Sequence, residues 1–304
     1  SGITGTYYVY VKPVTDTASN VSTAGSYHRF GPYRFDNTAP TVTASPASAG
    51  WRNSALSVTV TYADTAGSVN SGIATTTGSY YLTTNSNPTS LGNATGTFNS
   101  GTAFSINPGA TGTYYLYIPV INDRAGNESN ANITIGGARY HKFGPYQFDK
   151  TNPTLTLGAQ SNGTYVKSRN VSITIGDADS GLATGASIKY AWSTSTSTPS
   201  SWTTVNPSYT AGTKSVSFNA TGNGLTGSYY LHVQITTLRD VAGNSYTTTL
   251  HSSGTFLFDN TAPTVSLGAN SDTTWRQNRT VNVTIKDDHS GLATGTSIRY
   301  GWST

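Results

Sequence analysis

Apolar and polar residues alternate with a period of two along short stretches of this chain. Leu56, Val58 and Val60 interleave with Ser57, Thr59 and Thr61, and the same alternation returns at Val171, Ile173, Ile175 and at Val281, Val283, Ile285. Successive side chains of a strand point to opposite faces, so this period predicts half-buried strands with one wet face. A second inward set, Ile188, Tyr190 and Trp192, returns as Ile298, Tyr300 and Trp302. A third runs Tyr114, Leu116, Ile118, Val120 and returns as Tyr229, Leu231, Val233, Ile235. Several short strands with turn residues between them predict an all-β chain of sandwich domains.

The strands belong to a larger repeat. Phe35-Asp-Asn-Thr-Ala-Pro-Thr-Val42 returns as Phe148-Asp-Lys-Thr-Asn-Pro-Thr-Leu155 and as Phe258-Asp-Asn-Thr-Ala-Pro-Thr-Val265. Gly5-Thr-Tyr-Tyr-Val-Tyr-Val11 has counterparts at Gly112–Ile118 and Gly227–Val233. Asp123-Arg-Ala-Gly-Asn127 matches Asp240-Val-Ala-Gly-Asn244, with a degenerate copy at Asp16–Asn20; their Gly and Asn suit the positive φ of a hairpin turn. Ser71-Gly-Ile-Ala74, Ser180-Gly-Leu-Ala183 and Ser290-Gly-Leu-Ala293 form a further set. The expected divisions are 1–35, the closing strands of one repeat; 36–148 and 149–258, two whole repeats; and 259–304, the opening strands of another. A window on a longer chain is the first reading of the partial ends. The second is that they complete each other between subunits by strand donation.

Composition narrows the field. Cys and Met are absent, which removes disulfides, thiolate metal sites and cysteine nucleophiles. Only 10% of residues are charged, yet 20 Tyr and 5 Trp supply enough apolar surface for folded domains rather than a disordered polar tract. The net charge of +4 carries no dense basic run, so no nucleic-acid partner is expected. No stretch has the apolar length of a membrane span. Asn-x-Ser/Thr sequons at Asn93, Asn132, Asn219 and Asn282 permit glycosylation.

The Phe-Asp-x-Thr-x-Pro joint, the Ser-Gly-Leu-Ala loop and the Asp-x-Ala-Gly-Asn hairpin, in three ordered copies, resemble bacterial immunoglobulin-like tandem repeats of large surface and adhesin proteins. The resemblance implies tandem immunoglobulin-like β-sandwich domains arranged as an elongated rod, serving outside the cell as the stalk of an adhesin or a surface filament. It implies partners of three kinds: neighbouring repeats, further copies joined laterally or head to tail, and a glycan or cell-surface ligand. It puts Tyr7, Tyr114 and Tyr229 at the start of strand F as tyrosine corners, and Trp192 and Trp302 on strand C, with Leu82 replacing the Trp in copy one.

It also makes the repeated aspartates candidate Ca²⁺ ligands: Asp36, Asp149 and Asp259 at the joints, with Asp64, Asp177, Asp179, Asp287 and Asp288 after the second strand. Calcium takes six to eight oxygen ligands. Each period offers only a few carboxylates, so the preferred reading is a turn cap before Pro40, Pro153 and Pro263, with Asp bonding its own backbone. Outward tyrosines Tyr8, Tyr10, Tyr115, Tyr117 and Tyr230 suggest a rival function, a carbohydrate-binding module that stacks sugars, although cross-strand packing explains them too. His28 and His141 have no acidic or Cys partner at ligand spacing, and their shared Tyr-His-Arg/Lys-Phe-Gly-Pro-Tyr segments read as a packing surface. No Gly-x-Ser-x-Gly, P-loop or His-Glu-x-x-His motif occurs, and equivalent modules do not single out an active site, so no catalysis is expected.

Overall fold

A computed structural model describes residues 2–23, 25–65, 70–248, 250–268 and 271–304. Every helix or strand element among them is a strand, and the chain divides into two compact units, 1–150 and 151–304.

The first unit begins with an antiparallel ribbon, β1 (Gly5–Val11) and β2 (His28–Phe35). It continues through β3 (Thr41–Ser45), β4 (Ala49–Arg52), β5 (Leu56–Ala63), β6 (Thr77–Thr83) and β7 (Gly96–Asn99). It closes with β8 (Ala103–Ile106), β9 (Gly112–Pro119), β10 (Ile133–Ile135) and β11 (Ala138–Phe148). One sheet has the order β3-β5-β8; the other has β10-β11-β9-β6-β7, with β4 parallel beside β11. Val42, Leu56, Val58 and Val60 from the first sheet share a buried cluster with Phe98, Leu116, Ile118, Tyr146 and Phe148 from the second. A sandwich-like core follows directly from the alternation, because each strand contributes every second side chain to it.

The second unit repeats the plan with β12 (Thr154–Leu157), β13 (Ser168–Gly176), β14 (Ser187–Ser193), β15 (Thr203–Val205), β16 (Ser215–Asn223), β17 (Gly227–Thr237) and β18 (Leu250–Phe258). Its sheets are β12-β13-β16 and β15-β14-β17-β18, and Val171, Ile173 and Ile175 meet Ile188, Leu231, Val233, Phe256 and Phe258 in the core. Trp192 stands edge-on to Phe256 and Phe258, at 5.2 and 5.3 Å between ring centroids. It pairs with Leu231 across β14 and β17, as Leu82 pairs with Leu116 across β6 and β9. Leu82 therefore holds the register position of Trp192.

A final two-stranded ribbon joins β19 (Thr264–Leu267) to β20 (Val283–Lys286). Here the expectation of a third inward set fails. Ile298, Tyr300 and Trp302 form no strand and are 62%, 86% and 73% exposed, and Val283 is 46% exposed. In the complete repeat the equivalent strand, β14, is hydrogen-bonded to β17. Among the described residues no strand pairs with residues 297–303.

Candidate functional site

The joint before each proline is held by hydrogen bonds from both sides of the aspartate. Asp36 accepts the Thr38 amide on Oδ1 at 3.0 Å, closing the expected turn. Its Oδ2 accepts the Ser71 amide at 2.6 Å, from the Ser-Gly-Ile-Ala loop. Asp259 repeats both contacts, taking the Thr261 amide at 3.0 Å and the Ser290 amide at 3.0 Å. These donated bonds hold the Asp36 carboxyl below its ordinary value, those from Thr38 and Ser71 being largest. Asp259 is held well below the usual carboxylate range, mainly by Ser290 and Thr261.

The residue after the aspartate reaches the other way. Asn37, Lys150 and Asn260 donate their backbone amides to the hydroxyls of Thr4, Thr111 and Thr226 at 3.0, 2.8 and 3.0 Å. Those threonines directly precede β1, β9 and β17, so at Asp36 and Asp259 the joint is tied both to the repeat it leaves and to the one it enters. Sequence reasoning missed this clamp, although Thr before Gly5, Gly112 and Gly227 was visible in all three copies. The tyrosine corner forms where it was expected at Tyr114, whose hydroxyl donates to the Ala110 carbonyl at 3.1 Å.

In the first unit the fold gathers Asp36, Asp64 and Asp123, with one carboxylate oxygen of each within 4.8 Å of the others. Asp123 comes from the Asp-x-Ala-Gly-Asn turn, where its carboxylate accepts the Asn127 amide at 2.8 Å and the Asn127 side-chain amide at 2.7 Å. Asp64 accepts the Gly72 amide at 2.7 Å on Oδ2, while its buried Oδ1 has no hydrogen-bond partner among the described residues. Three carboxylates this close repel one another unless protons, donors or a cation offset the charge. The remaining candidates have hydrogen-bond or ion-pair partners of their own. Asp149 is buried, accepts the Thr111 hydroxyl at 3.5 Å, and donates its amide to the Arg52 carbonyl at 3.0 Å. Asp177 accepts the Gly181 amide at 2.7 Å, and Asp179 accepts the Thr151 hydroxyl at 2.8 Å. Asp287 accepts the Gly291 amide at 2.8 Å, and Asp288 pairs with Lys286 at the surface.

The turns themselves divide the work of Gly and Asn. Gly126 and Gly243 take the positive φ, at +94° and +97°, whereas Asn127 and Asn244 bond the aspartate carboxylate. The degenerate copy closes the same way, from the Asp16 amide to the Asn20 carbonyl at 2.9 Å, but puts Ser19 at φ +67°.

The tyrosine platform is broken. Tyr117 is fully buried, not outward, because a loop covers that side of the sheet and its hydroxyl donates to the Asn85 carbonyl at 3.0 Å. Arg29 lies over the Tyr8 ring at 4.8 Å and Lys142 over Tyr115 at 4.6 Å, so cations from the Tyr-His-Arg/Lys-Phe segments already occupy those faces. The histidines of the same segments bond to serines: Ser22 to His28 at 2.7 Å, and Ser129 to His141 at 2.8 Å. Each serine also accepts an amide, from Val14 at 3.1 Å and Ile121 at 3.0 Å. These contacts make the segments packing features.

No family model matches the chain, and no curated protein sequence matches it. Among the described residues no helix is long and apolar enough to cross a membrane.

Proposed function

We propose that this chain is a structural segment of tandem immunoglobulin-like repeats, forming the stalk or shaft of an extracellular surface protein or filament, without catalysis. The observation that carries this reading is the recurring joint clamp, with Asp36 and Asp259 bonding forward and Thr4, Thr111 and Thr226 bonding back. A stalk needs each module tied to its neighbours by short, restrained joints, and proline in every joint limits φ as well. The glycan-binding alternative has less support, since Tyr117 is buried and cations cover Tyr8 and Tyr115. Pulling single molecules tests the stalk. Two unfolding events should appear, each releasing roughly 35–40 nm for a period of 110 or 113 residues. One event spanning the whole chain would rule out separate repeats.

The unpartnered Asp64 Oδ1 favours a second property, binding of a hard divalent cation by Asp36, Asp64 and Asp123. Calcium would then stabilise the folded chain by about 2.7 kcal/mol at a hundred times its Kd, raising the unfolding midpoint, and Asp64→Asn would abolish the response. Equal midpoints in calcium and chelator would leave the hydrogen-bonded clamp as the whole role of these groups.

A further inference from the structure

We propose that Asn223–Gly224 is a self-modification site, where the chain converts Asn223 to isoaspartate and thereby loosens the joint at Asp259. The chemistry needs only water and does not depend on the chain serving as a stalk.

An asparagine followed by glycine is prone to cyclise, because Gly has no Cβ to hinder its amide nitrogen or restrict the backbone. The Gly224 nitrogen attacks Cγ of Asn223 and gives up its proton. The bond from Cγ to the side-chain nitrogen breaks, and ammonia leaves. Water then opens the cyclic imide. Opening at Cγ gives aspartate, whereas opening at the main-chain carbonyl leaves the chain running through Cγ as isoaspartate. Nothing is oxidised or reduced.

The chain holds two Asn-Gly pairs, and the fold treats them differently. Asn162, before Gly163, is half-buried and tied to β18. Its Oδ1 accepts the Leu257 amide at 2.6 Å, and its side-chain amide donates to the Leu257 carbonyl at 3.3 Å. Its backbone amide donates to the Thr255 carbonyl at 3.2 Å. Ring closure there requires breaking the side-chain bonds first. Asn223 is the last residue of β16, opposite Ser168 of β13. It is exposed, and among the described residues no hydrogen bond holds its side chain. Gly224 is exposed too, at φ +68°, with open space around its α-carbon.

The residues that follow give the modification its effect. Leu225 packs against the core of the second unit, and its carbonyl accepts the Asn260 side-chain amide at 2.6 Å. The Thr226 hydroxyl accepts the Asn260 backbone amide at 3.0 Å. Isoaspartate adds one C–C bond, about 1.5 Å, to the main chain just before these two residues. Hydrogen bonds of this type span only about 2.7–3.2 Å, so the added length opens the clamp on Asn260. In the first unit Pro108-Gly109 precedes Thr111 as Asn223-Gly224 precedes Thr226. Proline has no side-chain amide to cyclise, so the bond from Lys150 to Thr111 is an internal control.

The test incubates the full chain in warm, mildly alkaline water enriched in the heavy oxygen isotope. Peptide mass spectrometry should find heavy oxygen at Asn223 severalfold sooner than at Asn162 in the folded chain, and at similar rates in denaturant. Asn223→Gln, which would need a larger ring, should stop the conversion at that position. Hydrogen exchange read residue by residue should show the Asn260 amide losing protection in the converted chain while Lys150 keeps its own. Asn223→Asp adds the charge without lengthening the main chain, and should leave Asn260 protected. Equal rates at the two asparagines in the folded chain would overturn the proposal. So would Asn260 protection that survives conversion, or that is lost equally in Asn223→Asp.

Discussion

The Asp36 carboxylate accepts the backbone amide of Ser71 at 2.6 Å, across 35 residues of sequence. Asp259 and Ser290 reproduce the contact at 3.0 Å across 31 residues. A joint residue thereby reads the position of a loop in the next repeat, which a turn cap alone would not do. Both carboxyls are held below their ordinary range, so the sign of the linkage is definite. The clamp contributes fully above the unfolded carboxyl value, about 3.9, and its contribution is lost as pH falls through the depressed folded values. Thermal scans from neutral to strongly acidic pH should show Asp36→Asn and Asp259→Asn less stable than the parent at neutral pH, with the gap closing in acid. A pH-independent gap would refute the charge-assisted clamp.

Ser19 occupies a left-handed conformation that Gly126 and Gly243 fill in the intact turns. A side chain there costs about 1–2 kcal/mol. Ser19→Gly should therefore increase protection of the Asn20 and Ser22 amides in hydrogen exchange, and Gly126→Ala should lower chemical stability by about 1 kcal/mol. Open space surrounds the added methyl of Gly126→Ala, so the loss measures backbone strain rather than a clash.

His141 is buried and bonded to Ser129, and burial pushes its pKa down, with Arg139 adding to the effect. The unfolded chain then takes up the proton first. Stability is full above the unfolded value near 6.5 and declines as pH drops toward the lower folded value. His141→Gln should flatten that part of the stability profile, read from denaturation midpoints between mildly alkaline and mildly acidic buffers. An unaltered slope would show that another group carries it.

The buried Tyr117 hydroxyl donates to the Asn85 carbonyl, whereas Tyr8 lies at the surface under Arg29. Tyr117→Phe should cost about 1 kcal/mol by leaving that bond unmade, and Tyr8→Phe should cost almost nothing. Equal losses would contradict the different settings of the two rings.

Much of this architecture is written in local periodicity. Val58, Val60, Ile173 and Ile175 are fully buried, or nearly so, where a period of two places them, because a strand presents alternate side chains whatever its partners. The turns at Asp123 and Asp240 and the joint caps at Asp36 and Asp259 were legible for a similar reason: Asp, Asn and Gly act on their own few residues. Tertiary structure decided whatever depends on a distant neighbour. Tyr117 repeats in an outward position yet is buried, its hydroxyl bonded to the Asn85 carbonyl in the loop after β6. The meeting of Asp36, Asp64 and Asp123 and the return of Asn37, Lys150 and Asn260 to a threonine hydroxyl likewise join residues far apart along the chain. One sequence determines which face a side chain prefers. Only the packed chain determines what, if anything, lies against that face.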